Sequence, residues 1–173
     1  MSSAAESLPV LLTVDDDPSV SRAVARDLRR RYSEHYRVVR AESGEGAMEA
    51  LKELQLRGTP VAALLADYWM PDMDGIQFLE QAMGLFPRAR RALLTAYADT
   101  DAAIQAINVV DVDHYLLKPW DPPQEKLYPV VDQLLQTWAA SPDPAADGLR
   151  LVGHRWSQAS HVVRDFLARN SAP

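Results

Sequence analysis

The chain has 173 residues, enough for one ordinary domain and an appendage but not for two full domains. Apolar residues make up 47% and charged residues 24%, a globular balance, and the lack of cysteine excludes disulfides, thiolate metal sites and thiol catalysis. A net charge of −6 argues against nucleic acid as the main partner, so no direct DNA binding is expected.

No stretch approaches the ~18 uninterrupted apolar residues of a membrane span. Met1 to Leu8 lacks the basic and apolar regions of a signal peptide. The expectation is a cytoplasmic protein without a membrane partner. Along the chain, Pro9 to Val14 (PVLLTV) is a near-continuous apolar run, the pattern of a strand buried on both faces. Pro18 and Ser19 then open a helix with Val20, Ala23, Val24 and Leu28 on one side. Tyr36 to Ala41 reads as a second, more polar strand at an edge, and Gly44 to Leu56 as a helix with Ala47, Leu51 and Leu54 inward. Val61 to Ala66 (VAALLA) is a third strand, followed by a helix over Gly75 to Phe86 with Ile76, Leu79 and Met83 on its face. Ala92 to Thr95 makes a fourth strand, Asp101 to Asn108 a fourth helix, and His114 to Leu117 a fifth strand. After the turn at Pro119, Pro122 and Pro123, a fifth helix runs to about Ala139. Its face is Leu127, Val130, Val131, Leu134, Leu135 and Trp138, and Pro129 is expected only within its first turn, which sets where it starts.

Five βα units in series imply an α/β fold with a parallel sheet and helices on both faces. Right-handed crossovers favour the flavodoxin-like strand order 2-1-3-4-5, a (βα)5 architecture, with the ligand site beyond the carboxyl ends of the strands. Residues 8–140 form this domain. Ser141 to Gly148 (SPDPAADG) is a linker by composition, and residues 149–173 form a β-α extension.

The strand ends carry the chemistry. Strand one ends in Asp15, Asp16 and Asp17, strand three in Asp67, strand four in Thr95 and strand five in Lys118. Strands one and three are neighbours in the expected order, so Asp15, Asp16 and Asp67 converge. Clustered carboxylates raise one another's proton affinity unless a cation offsets them, and oxygen ligands with room for water suit Mg²⁺. A hydroxyl and an ammonium across the crevice complete a place for phosphoryl oxygens. Taken singly, each group has a plainer reading: Asp16-Asp17-Pro18 as a helix cap, Lys-Pro as a turn, Thr95 as a structural residue. Four groups on four strand ends of one crevice are hard to obtain by accident.

The segments VDDDPSV (14–20), LLADYWMPDMDG (64–75), LLTAYAD (93–99) and HYLLKPW (114–120) resemble the receiver domain of bacterial two-component response regulators. The resemblance covers about Leu8 to Ala139. It implies that Asp67 accepts a phosphoryl group from a histidine kinase or phosphotransfer protein. It further implies that Asp16 and Asp67 ligate Mg²⁺ with their carboxylates, Trp69 with its main-chain carbonyl, and Asp15 through water. Thr95 would bond a phosphoryl oxygen, Ala96 would keep the approach open, and Lys118 would pair with the phosphoryl group, with a cis peptide before Pro119. Tyr115 matches the aromatic that rotates on activation, remodelling the surface of the fourth helix, fifth strand and fifth helix. Expected partners are the kinase, a fused or separate output domain, and a second copy in a phosphorylation-dependent homodimer. Trp69 and Tyr97 are bulkier than the commoner residues at positions that border the hydrolytic water's path. The resemblance therefore implies slow intrinsic dephosphorylation as an expectation.

The tail is basic, with Arg150, Arg155, Arg164 and Arg169 against Asp165, and too short for a helix-turn-helix output domain. Its sequence LRLVGHRWSQASHVVRDFLARNSAP is similar to the opening β-α unit of the thioredoxin-like region in fused response regulator/thioredoxin reductase-like flavoproteins, although no Cys-x-x-Cys is present. His154 and His161 read as ordinary surface residues. Two other functions stay open at this point. A haloacid-dehalogenase-type phosphatase would use Asp15-x-Asp17 with Thr95 and Lys118, but leaves the context of Asp67 unexplained. A phosphorylation-independent docking or dimerisation module would not need the full set of site residues.

Overall fold

The computed structural model describes residues 7–96 and 111–141. All its elements lie in the first of two units of the chain, Met1–Ser141. In chain order they are β1 (Val10–Val14), α1 (Pro18–Tyr32), β2 (Arg37–Ala41), α2 (Gly44–Leu56), β3 (Val61–Asp67), α3 (Gly75–Leu85), β4 (Arg90–Thr95), β5 (His114–Leu117) and α4 (Pro123–Ala140). The strands form one parallel sheet in the order β2-β1-β3-β4-β5, as the βα alternation implies. The expected fourth helix, Tyr97, the linker from Pro142 onward and the extension over 149–173 lie outside the described residues.

Burial explains why these segments became strands. Every residue of β1 and β3 is buried, because helices cover both faces of the sheet. Side chains alternate between two cores. Val10, Leu12, Val14, Leu64, Ala66 and Leu93 meet α2 and α3 on one face. Leu11, Leu65, Ala92, Leu94 and Leu116 meet α1 and α4 on the other. At the edge, β2 buries only Val38, which accounts for its polar composition.

Three helix boundaries have local causes. Asp17 caps α1, its Oδ1 accepting from the Ser19 amide at 2.8 Å and the Ser19 hydroxyl at 2.6 Å. These bonds hold the Asp17 carboxyl below the ordinary aspartate range. Ser43 caps α2, accepting from the Gly46 amide at 3.0 Å. At α3, Asp74 and Gln77 form a reciprocal capping box, each side chain bonding the other's amide.

Two expectations need correction. The inward face of α3 includes Phe78 and Ala82, both fully buried, while Met83 is only half-buried. The apolar stripe is wider than the three residues expected, so its centre falls nearer Phe78. The second correction concerns α4, which begins at Pro123 and carries Pro129 in its interior rather than in its first turn. Proline there removes one bond to the Glu125 carbonyl, but Glu125 and Pro129 are both exposed, so water reaches the freed group. The turn before it is anchored by Leu127, fully buried, and Tyr128, 6% exposed. Tertiary packing outweighs the local rule.

Candidate functional site at the carboxyl ends of the strands

The crevice is assembled by register. Val14 pairs with Ala66 across β1 and β3, so Asp15 and Asp67 leave neighbouring strands at one level. Asp67 pairs with Leu94, and Thr95 with Leu117, which brings Thr95 and Lys118 to the same mouth. The Lys118 amide donates to the Thr95 carbonyl at 2.8 Å, fixing the turn that begins there. The peptide between Lys118 and Pro119 is cis, as expected, and a second cis bond precedes Pro122.

Asp15 and Asp67 are nearly buried, at 2% and 6% exposure, while Asp16 is exposed. Carboxylate oxygens of the three lie within 4.8 Å of one another. The counter-charge among them is Lys118, whose Nζ donates to Asp15 Oδ2 at 2.5 Å and to Asp67 Oδ1 at 2.8 Å. Asp15 Oδ1 also accepts from the Asp17 amide at 3.0 Å, so both of its oxygens are engaged. Burial pushes the Asp67 carboxyl above the ordinary aspartate range. Lys118 pulls it back, while Asp15 and Asp16 add to the rise. For Lys118, burial works against its charge, but the bonds to Asp15 and Asp67 prevail and hold its ammonium above the usual lysine value.

Gly75 matters because of closeness. A Cβ at that position would lie 2.2 Å from the Asp67 carbonyl oxygen and 2.9 Å from Leu93. Only glycine lets the start of α3 pack beneath the end of β3, where its amide donates to the Tyr68 carbonyl at 3.1 Å.

The remaining expected residues are arranged around this centre. Thr95 is buried and Ala96 exposed at the end of β4. Tyr115 is half-buried on β5 against the α2/α3 core, and burial raises its hydroxyl pKa. Trp69 is 65% exposed and stands edge-on to Tyr68, with ring centroids 4.9 Å apart. Tyr97 lies outside the described residues. Thus Asp15, Asp16, Asp67 and Lys118 meet directly, with Thr95 and Ala96 on the adjoining strand end. Composition did not reveal that Lys118 contacts Asp15 as closely as Asp67.

The family model of the response regulator receiver domain matches residues 11–128. The chain belongs to that family. Among relatives of this receiver, it is 33% identical over 112 residues to the hydrogenase transcriptional regulatory protein HoxA of Cupriavidus necator, covering 65% of this chain and 21% of HoxA. It is 32% identical over 149 residues to the transcriptional regulatory protein GlrR of Escherichia coli, covering 86% of this chain and 29% of GlrR. The receiver therefore spans less than a third of the length of either relative. Among solved structures, it resembles the signal receiver domain of an HD domain-containing protein from Pseudomonas fluorescens Pf-5. There the TM-score is 0.65 at 27% identity, covering 78% of this chain and all of that one. A CheY-like receiver domain protein from Methanospirillum hungatei gives 0.64 at 25% identity, with the same coverage. Family membership sets aside the phosphatase reading, which made Asp15 the nucleophile. Among the described residues, no helix is long and apolar enough to cross a membrane.

Proposed function

We propose that this receiver is a phosphorylation switch whose nucleophile is Asp67, acting with Mg²⁺. The observation that carries the reading is the Asp15–Asp16–Asp67 carboxylate group facing Lys118 at one mouth of the sheet. Three oxygen-donor side chains, one of them exposed and so able to leave room for water, fit the preferences of Mg²⁺. Asp16 and Asp67 would hold the ion directly, the Trp69 carbonyl would complete the protein ligands, and Asp15 would act through water. When bound, the ion supplies positive charge against the phosphoryl oxygens.

In the transfer, an Asp67 carboxylate oxygen attacks the phosphorus of a phosphohistidine on a sensor kinase or phosphotransfer protein. The new O–P bond forms as the P–N bond breaks, and the imidazole nitrogen leaves with the electron pair. About −1.5 to −2 units of charge then sit on the acceptor. Lys118, already within reach of Asp67, pairs with the phosphoryl group, and the Thr95 hydroxyl donates to another oxygen. Movement of Thr95 opens space for Tyr115, biasing a two-state equilibrium at the surface around β5 and α4. Ala96 keeps the approach clear.

The receiver, residues 8–140, would pass this change through the linker 141–148 to the segment 149–173, to a fused or separate output domain, or to a second copy of the chain. The setting is the cytoplasm, and the chain's only catalysis is on its own phosphoryl group. The relatives HoxA and GlrR are described as transcriptional regulators, which makes a longer regulatory protein the natural context. The test is intact-mass measurement after incubation with acetyl phosphate and Mg²⁺. Wild type and Asp15→Ala are expected to gain one phosphoryl group, the latter more slowly, and Asp67→Ala none. Labelling of Asp67→Ala at the wild-type rate would overturn the assignment.

A further inference from the structure

One buried acidic side chain takes no part in the crevice. Asp27, on α1, is 3% exposed, and its Oδ2 accepts from the indole Nε1 of Trp120 at 3.1 Å. Its Oδ1 accepts from Arg26 Nε at 3.1 Å, and its backbone carbonyl accepts from the Tyr128 hydroxyl at 3.1 Å. Trp120 is itself 7% exposed and packs in the α1/α4 core. It stands two residues beyond Lys118, across the cis bond to Pro119.

The short segment 118–120 is therefore tethered at both ends. At one end the Lys118 amide is bonded to Thr95 and its ammonium to Asp15 and Asp67. At the other the Trp120 indole is bonded to Asp27, a carboxylate buried against water that would otherwise loosen the bond. A lysine side chain has four rotatable bonds, so its reach is precise only if its backbone is held.

We propose that Asp27 and Trp120 are positioning residues for Lys118, setting where its ammonium meets Asp67 and the incoming phosphoryl group. This rests on the reading of Lys118 as the phosphoryl partner. The hydrogen bond, rather than the bulk of the indole, is the operative part.

A double-mutant cycle tests it, reading the rate of phosphoryl gain from acetyl phosphate at saturating Mg²⁺ by intact mass. Trp120→Phe keeps a ring and removes the donor. Phosphoryl gain is expected to slow about three- to tenfold, less than in Lys118→Met, as displacement of a reacting group does. In the Lys118→Met background the same substitution is expected to have no further effect, because nothing remains to be positioned. Asp27→Asn, which keeps an acceptor oxygen, is expected to retain most of the rate, whereas Asp27→Leu behaves as Trp120→Phe. Circular dichroism confirms that each variant compared is folded, and the Asp27→Asn and Asp27→Leu pair decides if Trp120→Phe is not. A Trp120→Phe defect equal in both backgrounds overturns the proposal, as does a wild-type rate in Trp120→Phe when Lys118→Met is slow. A wild-type rate in Lys118→Met instead removes the underlying reading of Lys118, and the positioning role with it.

Discussion

The ammonium of Lys118 stands 2.8 Å from Oδ1 of Asp67, the carboxylate proposed above as the one that attacks phosphorus. The same ammonium also bridges to Asp15, so one lysine balances two nearly buried acids. If Mg²⁺ binds as proposed, lysine and the cation would compete for the same oxygens.

Lys118→Met is expected to bind Mg²⁺ about tenfold more tightly than wild type, since removing a neighbouring charge by 1.4 kcal/mol is worth a factor of ten. Calorimetric titration measures this directly. Weaker binding in the variant would mean that lysine orients the carboxylates more than it competes for them.

The same substitution strands two buried carboxylates, and without Mg²⁺ it should cost about 3 kcal/mol at pH 7. Because Asp67 protonates above the ordinary aspartate range, the loss should shrink as acid neutralises it. Urea melts at pH 7 and at pH 4.5 with EDTA present provide the comparison, and a larger loss at the lower pH contradicts the electrostatic account.

Asp67→Asn should raise the melting temperature at pH 7 in the absence of Mg²⁺. A carboxyl whose folded pKa is raised contributes stability below its unfolded value, near 3.8, and loses it as pH climbs through the folded value. At neutral pH the ionised group is a net cost that a neutral amide avoids, and each kcal/mol relieved is worth about 2–4 °C. Calorimetric scans across pH 3 to 8 should show the two proteins converging at the acid end.

Gly75→Ala should destabilise the fold by about 3 kcal/mol, the upper part of the range for overpacking. The added methyl meets the backbone oxygen of Asp67 at 2.2 Å, and a backbone atom cannot swing aside as a side-chain tip can. Chemical denaturation reads the change, and a loss under 1 kcal/mol would show that α3 shifts freely.

Phosphorylated protein should lose its phosphoryl group faster in Trp69→Asn, about tenfold, if the indole shields Asp67 from the attacking water. Since Trp69 is 65% exposed and leans on Tyr68, the shield would have to act at the rim of the crevice. Decay followed by intact mass decides it; equal lifetimes assign the indole to a partner surface instead.

Most of the scaffold was legible because its strands are buried on both faces. VLLTV and VAALLAD have no polar position to confuse the period, and their ends name Asp15, Asp16 and Asp67. Lys118 was legible from the strand HYLL and the proline after it. What could not be read is contact across distance. Asp27 is an acid in an amphipathic helix, a pattern that normally points to solvent, and its partner Trp120 lies 93 residues away. Pro129 misled for a related reason: local backbone rules took no account of Leu127 and Tyr128 anchoring the turn before it. Equally, spacing places Lys118 in the crevice without saying that it would bond two carboxylates at once.

The fit of Gly75 beneath the Asp67 carbonyl makes the floor of the crevice an anvil. With no slack below, the backbone at Asp67 has no room to settle toward α3. On the proposed switch, the yielding would then fall sideways, along the edge where Thr95 and Tyr115 stand, so that a hydrogen in place of a methyl on one helix would set the direction of the response.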